Sequence, residues 1–74
     1  MALYANNNGL SAYESIAKNA HTWLYPDGKM YLEIGAGQAP DVKSIFLHHG
    51  WNLTRTESDL GGIERVLVFE KAHK

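Results

Sequence analysis

Glu33, Gly35, Gly37 and Gln38 are the residues of this chain whose types and spacing suit chemistry. They lie in residues 29–41, KMYLEIGAGQAPD, which read as a strand, a glycine-rich turn and the first turn of a helix. A turn of that form offers backbone N–H groups and the positive end of a helix dipole, the general form of a nucleotide-cofactor loop. Glu57 lies about twenty residues beyond Gly37, where an acidic ribose ligand would sit. Two features oppose a direct cofactor role. The third glycine is replaced by Ala39-Pro40, and Pro40 removes one helix N-terminal donor. A chain of 74 residues is also about half of what a doubly wound cofactor fold needs. Spacing alone therefore favours a tight strand-to-helix turn, although Glu33, Gly35 and Gly37 reproduce the start of the acidic-x-G-x-G pattern of S-adenosylmethionine enzymes.

The other chemistry-bearing types do not converge. His48 and His49 are adjacent, so on a helix they point in different directions, and His21 and His73 are far from them in sequence. Zinc needs three or four convergent ligands, so no metal site is expected. There is no cysteine, which excludes disulfides and thiolate ligation. No G-x-S-x-G, P-loop or cysteine nucleophile is present, and no residue is assigned as catalytic or cofactor-binding. Glu33 remains notable: a carboxylate in an apolar strand is costly unless paired or half-solvated, and Arg65 is an available partner.

These residues must be positioned by one small domain spanning residues 1–74, with a marginal core. Net charge is −1 and the seven basic residues are scattered, so no direct nucleic-acid contact is expected. The longest apolar run, at Val66 to Phe69, is too short to cross a bilayer, and Met1 is not followed by a signal-like segment. A cytoplasmic setting is the expectation. Residues 1–8, with three successive Asn, read as turn, and residues 71–74 as a solvated tail.

Ser11-Ala-Tyr-Glu14 reads as a capping box opening a helix over 11–23, with an apolar stripe at Tyr13, Ile16, Ala17, Ala20 and Leu24 and a Glu14–Lys18 pair on the wet face. Tyr25-Pro26-Asp27-Gly28 is a turn. Residues 30–34 read as a strand covered on both faces. A second helix is predicted from Pro40 to Gly50, with Asp41 at its positive end and Val42, Ile45, Phe46 and His49 along one face. Strands are predicted over 51–56 and 65–70, joined through Asp59-Leu60-Gly61-Gly62 by an antiparallel return.

Taken whole, the string resembles the C-terminal third of the release-factor glutamine methyltransferases, the HemK-type family that N5-methylates a glutamine of peptide-chain release factors. The resemblance runs nearly end to end. It is carried by Ala2-Leu3, Gly9-Leu10, Tyr13, Ile16, Leu24, Pro26, Gly28, Leu32-Glu33-Ile34-Gly35 and Gln38, then by Val42, Gly50, Asp59-Leu60, Gly62 and Arg65-Val66. The E-I-G-x-x-Q and D-L-x-G-x-x-R-V elements are its specific parts. Asn6 and Ala39-Pro40 depart from the usual pattern, which bears on a turn and on helix entry.

The resemblance implies an α/β fold: a C-terminal fragment of a Rossmann-like methyltransferase, with a three-stranded mixed sheet and two helices in the order helix-strand-helix-strand-strand. It implies that residues 65–70 are an antiparallel strand inserted between the other two. It implies S-adenosylmethionine as the cofactor of the complete enzyme, with a release factor and the upstream part of the methyltransferase as partners. The cofactor motif and the Asn-Pro-Pro-Tyr that holds the glutamine amide lie upstream in such enzymes, and this sequence contains no Asn-Pro-Pro-Tyr. The chain alone is therefore expected to be inactive. Ligands in open α/β sheets sit beyond the carboxyl ends of the strands, which assigns Glu33, Gly35, Gln38, Gly9 and Leu10 to a substrate-side wall. Two other readings stay open: a standalone α/β interaction module, dimerising through the free edge of residues 30–34, and direct use of residues 35–39 as a cofactor loop.

Overall fold

A computed structural model describes residues 9–72; the expectations for residues 1–8 and for His73 and Lys74 lie outside the described residues. Helix α1 (Leu10–Asn19) runs into a short 3-10 turn (Ala20–Thr22). Strand β1 (Lys29–Glu33), helix α2 (Ala39–His48), and strands β2 (Trp51–Ser58) and β3 (Glu64–Lys71) follow. Strand β3 is central and pairs antiparallel with β1 on one side and β2 on the other.

The sheet is thus antiparallel at both ladders rather than mixed. Strands β1 and β2 run in the same direction, but β3 separates them, so no parallel ladder forms. One geometric consequence matters for the site. The carboxyl end of β1 faces Val66, and the carboxyl end of β2 faces Glu64, so both leave the sheet at the start of β3.

Both helices cover one face of the sheet. Ala17, Ala20, Val42, Phe46, Trp51, Leu67 and Phe69 form the buried core there, with Met30, Leu32 and Leu53 packed against it. Phe46 stacks on Phe69 with ring centroids 4.6 Å apart. Trp51 is 1% exposed, stacks on His21 at 4.3 Å and donates its Nε1–H to the Ala17 carbonyl at 2.9 Å. That bond satisfies the indole's polar atom inside the core.

No helix among the described residues covers the opposite face. Tyr31 is exposed there, Arg55 lies 5.8 Å from its ring centroid, and Lys29 pairs with Glu70. Strand β1 therefore alternates between half-buried and exposed residues and is not covered on both faces. Its near-continuous apolar run misled because Tyr31 spends its ring on the solvated face beside a guanidinium.

Local signals explain most boundaries. The Gly28 N–H donates to the Tyr25 carbonyl at 2.9 Å, closing the Tyr-Pro-Asp-Gly turn. Pro40 sits in the first turn of α2 with Asp41, and Gly50 ends that segment at φ +86°. The capping box is a correction. Helix α1 is entered through Gly9 at φ +91°, with no side-chain cap, so Ser11 is already inside the helix. Glu14 instead reaches His49 Nε2 at 2.8 Å, tying α1 to the end of α2. This contact, ahead of the neighbouring Lys18, holds the Glu14 carboxyl below its ordinary range.

Candidate functional site

The turn leaving β1 is built around the Gln38 side chain. Its Oε1 accepts the Gly35 N–H at 2.8 Å, while the Gln38 N–H donates to the Gly35 carbonyl at 3.1 Å. The two bonds close residues 35–38 into a tight loop immediately before α2. Tyr13, from α1, donates its hydroxyl to the Glu33 carbonyl at 3.2 Å and lies 3.4 Å from the same Gln38 Oε1. Burial raises the Tyr13 hydroxyl above its ordinary pKa, so it remains a proton donor at neutral pH. A side chain from helix α1 thereby fixes the exit of strand β1.

Gly35 leaves room for the Gln38 side chain. A Cβ at this position would meet Gln38 Oε1 at 3.1 Å and Cδ at 3.3 Å, tighter than an ordinary contact. Gly37 is needed for a different reason: its φ is +84° with nothing within 4 Å, so backbone conformation and not space selects glycine.

Two open hollows flank Gln38. One, of about 370 Å³, is bounded by Leu10, residues 35–38 and Asp41. The other, of about 300 Å³, lies against Gly9, Tyr13, Ile16, Leu32 and Glu33, with Gln38 again on its wall. The five residues assigned to a substrate-side wall all line one hollow or the other: Gly35 and Leu10 the first, Gly9 and Glu33 the second, Gln38 both. Tyr13 and Asp41 also line the hollows, which their sequence signals show only weakly: Tyr13 falls on an apolar stripe yet carries a hydroxyl that needs a partner, and Asp41 sits at the positive end of a helix dipole.

The hollows offer backbone dipoles, the neutral donor of Tyr13 and two carboxylates, those of Asp41 and Glu33. Asp41 brings a carboxylate to the larger hollow, and Pro40 removes an N–H from the helix terminus beside it. Both oppose a phosphate at that terminus. Glu33 is exposed and needs no buried partner; Arg65 lies 3.8 Å from Asp59 instead, so the suspected Glu33–Arg65 pair is not formed. His21, His48 and His49 gather at the other end of the sheet, around the start of β2. There His21 Nε2 is 2.8 Å from the His49 carbonyl, and His48 and His49 meet edge to face. Among the described residues, no group of three or more His, Cys, Asp or Glu is arranged to hold a metal ion. No helix among them is long and apolar enough to cross a membrane.

The described residues form one sheet end of an α/β protein, closed by a strand-to-helix loop and with helices on one face. Sequence comparison gives the class of that protein: the chain is homologous, over nearly all of its length, to segments of methyltransferases. It is 48% identical over 69 residues to the bifunctional methyltransferase of Rickettsia conorii, covering 93% of this chain and 13% of that protein. More particularly, it is 39% identical over 71 residues to the release factor glutamine methyltransferase of Thermodesulfovibrio yellowstonii, covering 96% of this chain and 25% of the relative. The release factor glutamine methyltransferase of Agrobacterium fabrum is 40% identical over 70 residues, with coverages of 95% and 24%. The chain thus spans between 13% and 25% of the length of these curated relatives. No family model and no solved structure matches.

Proposed function

We propose that this chain is the C-terminal part of the catalytic domain of an S-adenosylmethionine-dependent, cytoplasmic protein methyltransferase that N5-methylates a glutamine of peptide-chain release factors. The observation that carries this reading is similarity over 96% of the chain to a protein named for that substrate. The geometry is consistent with a supporting role. The loop at residues 35–38 and its two hollows lie beyond the carboxyl end of β1, the side on which open α/β sheets bind ligands. Glu33, Gly35, Gln38, Gly9 and Leu10 then form a wall of the substrate pocket. The groups that hold the methyl donor and the acceptor amide are supplied by the remainder of the enzyme. Residues 1–74 act as one folded unit in that domain.

The chain alone is expected to transfer no methyl group. The test is incorporation of labelled methyl from S-adenosylmethionine into a purified release factor, by the 74-residue chain alone and by the chain joined to the upstream part of a relative. Incorporation by the joined protein only is the expected result. Incorporation by the chain alone overturns the wall role, and none by the joined protein overturns the methyltransferase reading.

A standalone interaction module is the second reading, favoured by one observation. Strand β1 is an edge strand carrying exposed Tyr31, and such an edge can pair with a second copy. Light scattering separates the two: a tight dimer of the chain supports the module, and a monomer removes it.

A further inference from the structure

We propose that the tip of the β2–β3 hairpin, residues 60–63, is a docking element for the protein substrate, with Leu60 as an apolar anchor; this rests on the methyltransferase reading above. The tip is placed for that task. Strands β1 and β2 both end at the start of β3, so the hairpin emerges at the same end of the sheet as Gln38 and its hollows. Lys43, in the first half of α2, reaches both Glu64 carboxylate oxygens at 3.1 Å and pins the base of the hairpin beside that loop.

The tip is also held rigid. Asp59 Oδ1 accepts the N–H groups of Gly61 at 2.9 Å and Ile63 at 3.1 Å. The Asp59 N–H donates to the Ile63 carbonyl at 2.9 Å, and the Gly62 N–H to the Asp59 carbonyl at 3.0 Å. This network leaves Leu60 fully outside, at 109% relative exposure, with Ile63 at 45% beside it. A leucine so placed adds nothing to the core of this fold, and polar residues make such turns equally well. With the turn backbone already fixed, only the Leu60 side-chain rotamers are left to be ordered when a partner covers it.

Charge and area define the partner. The charged residues at the base are compensated, Arg65 against Asp59 and Lys43 against Glu64. No positive excess is left to attract a phosphate backbone or an anionic lipid surface. Two aliphatic side chains bury on the order of 100 Å² each. A stable interface needs roughly 1,000 Å² or more, so the tip alone cannot hold two copies together. It suits a supplementary contact to a polypeptide that is also engaged at the pocket.

The experiment immobilises the chain joined to the upstream part of a relative, so that the pocket is present, and titrates it with a purified peptide-chain release factor. Leu60→Asp and the gentler Leu60→Ser are expected to weaken binding at least about tenfold, with circular dichroism checking that both stay folded. Leu47→Asp is the control: Leu47 is also exposed, but near the far end of α2, and its variant should bind like the parent. Undiminished binding by the Leu60 variants, or no binding by the joined parent while it still transfers methyl, overturns the docking role. So does a parent dimer that Leu60→Asp dissociates, because the tip would then be a self-contact. None of these outcomes touches the methyl-incorporation assay of the joined protein, on which the methyltransferase reading depends.

Discussion

Gln38→Leu is the perturbation that tests the construction of the site most directly. The side-chain oxygen holds the Gly35 N–H at 2.8 Å and receives the Tyr13 hydroxyl at a longer 3.4 Å. A net hydrogen bond contributes about 0.5–1.5 kcal/mol, and a fully buried orphaned donor costs about 1–3. Gly35 is only half-buried, so water can recover part of the loss, and about 1 kcal/mol is expected. For 74 residues the total stability is on the order of 4–11 kcal/mol, so this change is measurable without unfolding the protein. In a domain of this size it lowers the melting midpoint by about 4–8 °C. Locally, the Gly35 amide should exchange with deuterium about fivefold faster, while amides at the centre of β3 slow or quicken only with global stability. Gln38→Glu keeps an acceptor oxygen and should preserve most of the Gly35 protection. Gly35→Ala pushes on the same side chain through the 3.1 Å approach and should cost part of it. If Gln38→Leu leaves both the Gly35 exchange rate and the midpoint at parent values, the loop is not held by this side chain.

Other consequences follow from the packing. Trp51→Ala removes the stacking on His21, the bond to the Ala17 carbonyl and the contact with Phe46; a loss of about 3–5 kcal/mol should abolish or nearly abolish cooperative urea unfolding, whereas a parent-like transition contradicts the core assignment. Gly37→Ala meets no atom within 4 Å but forces a side chain onto φ +84°, so about 1–2 kcal/mol should be lost in thermal melts, purely from the backbone. Glu14 has its carboxyl held below the ordinary range, first by the hydrogen bond to His49. Its contribution is therefore complete above the unfolded-state value and is lost as pH falls through the lower folded-state value. Glu14→Gln should flatten that part of the acid limb, checked by urea midpoints between about pH 6 and pH 3; an identical acid limb would show that the contact contributes nothing.

Much of the framework was legible because its signals are local. The Tyr25-Pro26-Asp27-Gly28 turn, Pro40 near the start and Gly50 past the end of α2, and the glycine turn after Asp59 each act within a few residues. The specific strings around Glu33 to Gln38 and Asp59 to Val66 carried the family resemblance, and the comparisons with methyltransferases support it over nearly the whole chain. Errors arose where two states share one local pattern. An apolar run cannot say which face of β1 is covered, and Ser11-x-x-Glu14 looks like a capping box whether or not a glycine two residues earlier has already begun the helix.

By itself, the sequence determined the turns, the extent of α2, the absence of thiol chemistry and the kinship with methyltransferases. Tertiary structure decided everything that joins distant residues. Tyr13 meets Glu33 and Gln38 across 20 and 25 positions, Glu14 meets His49 across 35, and the Trp51 indole reaches the Ala17 carbonyl across 34. It also decided that the hairpin tip and the Gln38 loop share one end of the sheet. The physical reason is the range of the forces involved. Backbone stereochemistry and capping are settled between near neighbours, whereas a side chain's partner depends on which faces the helices and strands bury against one another.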